Sequence, residues 1–232
     1  MTTYLDVLAE LGIDGAHPGG FLLTKYILRK LKIKQTTHLL DVGCGTGQTA
    51  TYISEKYGAN VTAIDIHPKM LEKARARFSS LSRPVHLHNA SVESLPFPAE
   101  QFDAILCESV LSFVILPKAL QEIYRVLKPH GKLIGIEAAY SQLTENEKKE
   151  IASFYRFRQL LTPKEWSAHL SNHGFHGIEI AYCSTKQRPV SQTPFTITST
   201  LSEEMLAILN RHEYMKKRYG KQLGYCIFSC KK

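Results

Sequence analysis

The run Leu39-Leu40-Asp41-Val42-Gly43-Cys44-Gly45-Thr46-Gly47 carries a strand-like apolar segment directly into three glycines at alternate positions. Glycines at this spacing let the chain turn sharply and bring its backbone close to a ligand, and the carboxyl end of a buried strand is where open α/β sheets bind ligands. The spacing also excludes two common alternatives. A dinucleotide fingerprint needs Gly or Ala at position 48, where this chain has Gln48. A phosphate loop needs Gly-Lys followed by Ser or Thr, which occurs nowhere in the chain.

Outward from this junction the pattern alternates between strand and helix. Strands are expected at His38 to Val42, Asn60 to Asp65, Val85 to Asn89, Phe102 to Glu108 and Lys132 to Glu137. Helices are expected at Gly47 to Tyr57, Pro68 to Ser80 and Lys118 to Leu127. HLLDV, NVTAID, DAILCES and KLIGIE are continuous apolar runs, as strands buried on both faces should be. Such alternation builds a parallel sheet with right-handed crossovers and helices on both faces. Two helices precede it (residues 4 to 13 and 20 to 33), separated by the turn-rich Asp14 to Gly20.

Beyond Glu137 the rhythm loosens into a helix-prone segment from Gln142 to Leu160, a helix opened by Thr162-Pro163 and running to about His173, and a strand from Gly177 to Ser184. Residues 185 to 200 read as a long loop. A helix capped by Ser202 and running to Tyr219 follows, and Gly224 to Cys230 is the last strand. The fold class is therefore α/β, a doubly wound, mostly parallel seven-stranded sheet in one domain over residues 1 to 232. Its ligand-binding core is about 36 to 138, with lid elements at about 1 to 33, 141 to 161 and 185 to 222.

The 232 residues include 44% hydrophobic and 22% charged side chains, which suits one filled core and not a disordered chain. No stretch approaches the roughly 18 consecutive apolar residues of a membrane-spanning helix, and the first ten residues do not read as a secretory leader, so a cytoplasmic protein is expected. Five cysteines without CxxC spacing point to free thiols. His169, His173 and His176 have a metal-like spacing but no acidic partner nearby, so they read as surface histidines and no metal is expected.

DVGCGTG at 41 to 47 closely matches the first motif of the class I S-adenosylmethionine-dependent methyltransferases, and the chain resembles that family over about residues 36 to 138. The resemblance implies a Rossmann-like methyltransferase fold with S-adenosyl-L-methionine as cofactor, bound around Asp41, Gly43, Cys44, Gly45 and Gly47. It implies that Asp65, which lies 22 positions after Gly43 and ends the second strand, takes the ribose hydroxyls, with Ile66 beside it. A carboxylate suits a vicinal diol because it accepts two hydrogen bonds at once. Ser91, Val92 and Glu93 fall where the family places its adenine contacts. Ser91 stands where similar members carry Asp, which shifts adenine recognition toward the backbone. Glu108 would border the transferring methyl. His17-Pro18-Gly19-Gly20 is similar to the turn with which small-molecule N-methyltransferases close over the methionine end, and Gly19 and Gly20 are carried over on that basis.

Methyl transfer needs chiefly an aligned nucleophile and the exclusion of water. Candidates for a catalytic base are Glu108, Glu137, Tyr140, Tyr4 and His17, none of them singled out by its neighbours in sequence. The acceptor class is split by charge. Residues 1 to 150 carry 17 basic and 16 acidic side chains and residues 151 to 232 carry 12 and 5, so nearly all of the net +8 lies in the last third. A basic tail allows an RNA methyltransferase. A small-molecule acceptor is the preferred reading over nucleic acid, because no RNA-binding module is recognisable. The helix after Ser202 is also expected to aim Met205, Leu206, Ile208, Leu209 and His212 inward as part of a lid.

Overall fold

The computed structural model describes residues 2–15, 17–184 and 201–232. Its elements run α1 (Tyr4–Leu11), α2 (Gly20–Lys30), β1 (His38–Val42), α3 (Gln48–Tyr57), β2 (Asn60–Asp65), α4 (Pro68–Phe78), β3 (Val85–Asn89), β4 (Phe102–Glu108) and α5 (Leu116–Val126). They continue with β5 (Leu127–Tyr140), α6 (Glu145–Tyr155), α7 (Pro163–Asn172), β6 (His176–Ser184), α8 (Glu203–Tyr219) and β7 (Leu223–Lys231). The loop expected over 185 to 200 lies outside the described residues.

The seven strands form one sheet in the order β3-β2-β1-β4-β5-β7-β6, with β7 antiparallel to both neighbours. Successive strand residues face opposite sides, and each side has its own core. Leu40, Val42, Ile105, Cys107 and Leu133 pack with α5 and α7 through Leu120, Ile123, Trp166 and Leu170. Leu39, Val61, Ala63, Leu106 and Ile134 pack with α2, α3 and α4 through Leu28, Ile53 and Ala74. In α5 the buried positions Leu116, Ala119, Leu120, Ile123 and Val126 recur at helical spacing, which is why this segment settles against the sheet. Among the described residues no helix is long and apolar enough to cross a membrane.

Parallel register sets the position of the site. Val42 pairs with Ile64 on β2 and with Cys107 on β4, and Asp65 pairs with Asn89 on β3. Gly43, Asp65, Ser91 and Glu108 therefore leave the sheet at one edge. Strand order reverses between β1 and its neighbours β2 and β4, and the crevice at such a switch point is where doubly wound sheets bind ligands.

Two expectations are corrected. The fifth strand, expected at Lys132 to Glu137, runs from Leu127 to Tyr140, and residues 128 to 131 bulge out of it: Leu127 pairs with Phe102 and Lys132 with Ala104, His130 sits at φ 65°, and a Cβ on Gly131 would stand 2.8 Å from Lys128 O. The end of the chain ties this bulge down, since Lys232 N–H donates to Gly131 O and His130 N–H donates to Lys232 O. The apolar side of α8 is only partly covered: Met215 and Tyr219 are buried, whereas Leu206 is 44% exposed.

Candidate active site

The glycine loop has its shape for steric reasons. Gly43 has φ 66°, and a Cβ there would stand 2.3 Å from a methyl of Val110. Gly45 has φ 54° with open space around it, Met70 Sδ being 3.8 Å from a Cβ placed there, so its backbone is free to meet a ligand. The loop is tied to β2 by Cys44 N–H donating to Ile64 O (2.9 Å) and Gly45 N–H donating to Asp65 Oδ2 (2.8 Å). The second oxygen of Asp65 accepts from His67 N–H at 2.8 Å. Each carboxylate oxygen has two acceptor sites, so Asp65 is fixed in place and still has one free site per oxygen. Ile66 follows it, an apolar side chain 65% exposed at a site edge.

Three acids converge at the strand ends: Asp41 on β1, Asp65 on β2 and Glu108 on β4. Asp41 is 2% exposed, accepts from Ala50 N–H, and leaves Oδ2 without a partner. Burial pushes its carboxyl well up, and the negative charges of Glu108 and Asp65 add to the shift. Glu108 accepts from Thr24 Oγ1 and from Thr49 Oγ1 (2.8 Å). Thr24 Oγ1 lies 3.0 Å from His17 Nε2, whose own Nδ1 is 3.1 Å from the Pro18 carbonyl, an acceptor that places a proton on Nδ1. A buried acid cluster with an orphaned oxygen is costly unless a cation completes it. That is the chemistry of a ligand carrying an ammonium and a sulfonium, so the residues present fit S-adenosylmethionine.

The remaining predicted positions divide. Gly20 N–H is taken by His17 O (3.0 Å), so this turn offers fewer free amides than its sequence suggests. Ser91 Oγ accepts from Glu93 N–H (3.2 Å), and the Glu93 carboxylate holds Ile115 N–H (2.8 Å) at the start of α5. Glu137 is fully buried, and its carboxylate accepts from Val110, Leu111 and Ser112, so it is no free base; burial pushes it up to about 7 against the pull of these donors. Tyr140 is 8% exposed, with Lys148 Nζ donating to its hydroxyl at 3.3 Å.

Sequence reading missed how the N-terminal segment is fastened. Asp14 accepts two bonds from Arg77 of α4 (2.9 and 2.8 Å) and one from Thr46 of the glycine loop. Asp6 of α1 lies 3.2 Å from His67 Nε2, and Glu204 of α8 accepts from Thr2 N–H at 3.1 Å. Tyr4, Tyr155 and His212 then meet from three helices. Tyr4 stacks on His212 (4.7 Å between centroids), and the Tyr155 hydroxyl is 2.8 Å from His212 Nδ1. Burial pushes both phenols up and lowers His212 to about 4, so the imidazole is neutral at physiological pH. Only the apolar-side placement of His212 hinted at this contact.

A methyltransferase domain model matches residues 40–135. Over 230 residues, and 98% of both chains, the protein is 39% identical to the uncharacterized methyltransferase YodH of Bacillus subtilis (strain 168). The chain belongs to the class I S-adenosylmethionine-dependent methyltransferases. This methyltransferase is also 29% identical, over 69% of its own length and 61% of the relative's, to phosphoethanolamine N-methyltransferase of Plasmodium falciparum (isolate 3D7). In fold it is similar to Haemonchus contortus phosphoethanolamine N-methyltransferase 2 in complex with S-adenosyl-L-methionine, with TM-score 0.83 and 21% identity, covering 98% of the methyltransferase but only 57% of that longer chain.

Proposed function

We propose that this methyltransferase acts on a small molecule enclosed beneath the lid of α1, α6 and α8. The observation that carries the reading is the fastening of that lid: Asp14 to Arg77, Asp6 to His67 and Thr2 to Glu204 draw the N-terminal segment onto the glycine loop, α4 and α8. An edge covered in this way suits an acceptor small enough to be enclosed and not a folded RNA. The small-molecule names of the relatives point the same way.

The geometry supports a set of roles. Asp65 takes the ribose diol on its two free acceptor sites, Ile66 lies against the adenine, and the hydroxyl of Ser91 and N–H of Val92 border the ring edge. Asp41 and Glu108 face the ammonium, with Gly43, Cys44, Gly45 and Gly47 supplying close backbone. Gly19 and Gly20 cover the methionine end. When bound, S-adenosylmethionine supplies an electrophilic methyl on a sulfonium that leaves as a neutral thioether, so no acid is needed at the leaving group. The chain's task is to orient the acceptor in line, to exclude water and, for a protonated nucleophile, to accept one proton. Tyr4 and His212, whose Nε2 is 3.5 Å from the Tyr4 hydroxyl, are not ready acceptors for that proton, since burial holds the phenol up and the imidazole down.

Release of S-adenosylhomocysteine is measured across a panel of small amines, phosphorylated amines and phenols, with transfer RNA as the macromolecular arm. Turnover with a small acceptor is expected. Turnover with RNA and with none of the small acceptors would overturn the reading.

A further inference from the structure

Glu137 lies near the end of β5 with 0% exposure. Its Oε1 accepts from Val110 N–H (2.9 Å) and Leu111 N–H (2.8 Å), and its Oε2 from Ser112 N–H (3.1 Å) and the Ser112 hydroxyl (2.9 Å). All four acceptor sites of the carboxylate are filled, and every donor belongs to one short turn after β4. A fully buried acid is expensive, and a neutral side chain would serve mere packing better. The reason for an acid lies in what the turn touches.

On one side the turn meets the cofactor loop. Ser109 sits at φ 57°, and Val110 beyond it fills the space where Gly43 has no side chain, 2.3 Å from a Cβ placed there. On the other side it meets the connection between α6 and α7. Ser112 O accepts from Arg158 N–H (2.9 Å), Leu111 O accepts from the side-chain amide of Gln159, and Phe113 packs edge-on against Phe157 with centroids 5.0 Å apart. Phe157 in turn stacks on Tyr155 of the lid cluster at 5.2 Å. One carboxylate thus holds a stretch that touches both the glycine loop and this lid connection.

We propose that Glu137 is a positioning residue for methyl transfer, holding residues 109 to 113 so that the cofactor loop and the acceptor-side lid keep a fixed separation. It acts through the turn and is sealed from cofactor and acceptor alike. The lid half of the inference rests on the small-molecule reading, and the cofactor half does not.

The test uses Glu137→Gln in the full chain, with S-adenosylhomocysteine as the probe and no acceptor, so its failure leaves the acceptor question untouched. In the variant an amide NH₂ replaces one oxygen and faces at least one backbone donor. At a temperature well below the unfolding transition, calorimetry should show affinity reduced at least tenfold. Hydrogen exchange at Arg158 and Gln159 should quicken by a similar factor, while exchange at Ala63 and Ile64 in β2 stays as in the wild type. Wild-type affinity together with wild-type exchange at 158 and 159 would overturn the proposal, even with a lowered Tm. If Glu137→Gln does not fold, Ser112→Ala decides: it removes one of the four bonds and should produce smaller changes, roughly threefold, in the same two readouts. No change in either readout would equally overturn the proposal.

Discussion

Replacing Asp65 tests the cofactor reading at the residue where geometry and chemistry are most tightly joined. Its two oxygens already accept from Gly45 and His67 at 2.8 Å each, which leaves two acceptor sites matched to two ribose hydroxyls. Asp65→Ala loses both charge-assisted bonds to the diol, and the glycine loop loses a strut. At about 1 to 2 kcal/mol per bond the loss is about 2 to 4 kcal/mol, or roughly a 30- to 700-fold rise in the Kd of S-adenosylhomocysteine. Asp65→Asn sharpens the test, because an isosteric amide would do nearly as well if shape alone mattered. Its NH₂ must face either a backbone donor or a ribose hydroxyl, so at least one N–H or O–H is left without an acceptor. The Asn variant should therefore stay well over tenfold weaker than wild type. Titration calorimetry, with circular dichroism to confirm folding, gives both values. A Kd within threefold of wild type for Asp65→Ala would refute the ribose assignment and with it the register argument for the site.

Ser91→Ala should weaken S-adenosylhomocysteine by less than about 1.5 kcal/mol, whereas Ser91→Asp should tighten it, because a carboxylate can hold the Glu93 N–H now bonded to Ser91 Oγ and still accept from adenine; lost binding in the Asp variant would show that position 91 faces elsewhere. His212 provides a pH signature. The unfolded chain takes up a proton near 6.5 that the folded protein declines until about 4, so stability is complete above pH 6.5 and falls as pH drops through that window, by on the order of 3 kcal/mol. Thermal melts from pH 7.5 to 4.5 should show a steeper decline for the wild type than for His212→Asn, and parallel curves would remove His212 from the account. Changing Lys216, Lys217, Arg218 and Lys221 together to Gln should leave S-adenosylhomocysteine affinity within twofold. Micromolar RNA binding by the wild type at physiological salt, lost in that variant, would favour the RNA reading.

The strands at the centre were legible to the residue. His38–Val42, Asn60–Asp65, Val85–Asn89 and Phe102–Glu108 match their sequence boundaries, because four short runs with strong strand character end in residues that break or leave a sheet. Legibility failed where tertiary contacts overrule local preference. Pro129 and Gly131 mark the bulge at 128 to 131, but the pairing of Leu127 with Phe102 ahead of it, which starts β5 five residues early, depends on β4 and not on local sequence. The apolar residues of α8 have helical spacing, but spacing states which residues share a side and not how much of that side is covered. The Asp14 and Arg77 pairing joins positions 63 apart, and no local pattern carries such information.

The site's polar groups bear on the proposed lid, because they join the N-terminal segment to the acids at the strand ends. Glu108 is one of the three acids at the strand ends, and its oxygens are held by Thr24 from the N-terminal segment and Thr49 from the helix after the glycine loop. A cation arriving beside Asp41 and Glu108 relieves a cluster whose burial is unfavourable while it stands uncompensated. The same carboxylate anchors Thr24, and through it His17, so neutralising the cluster alters the electrostatics of the contact that holds the lid down. Binding energy from the remote end of the cofactor is thereby available to order the N-terminal segment, which the orientation of an acceptor requires. On this argument Thr24 and His17, although they lie outside the glycine core, should affect cofactor affinity and acceptor placement together.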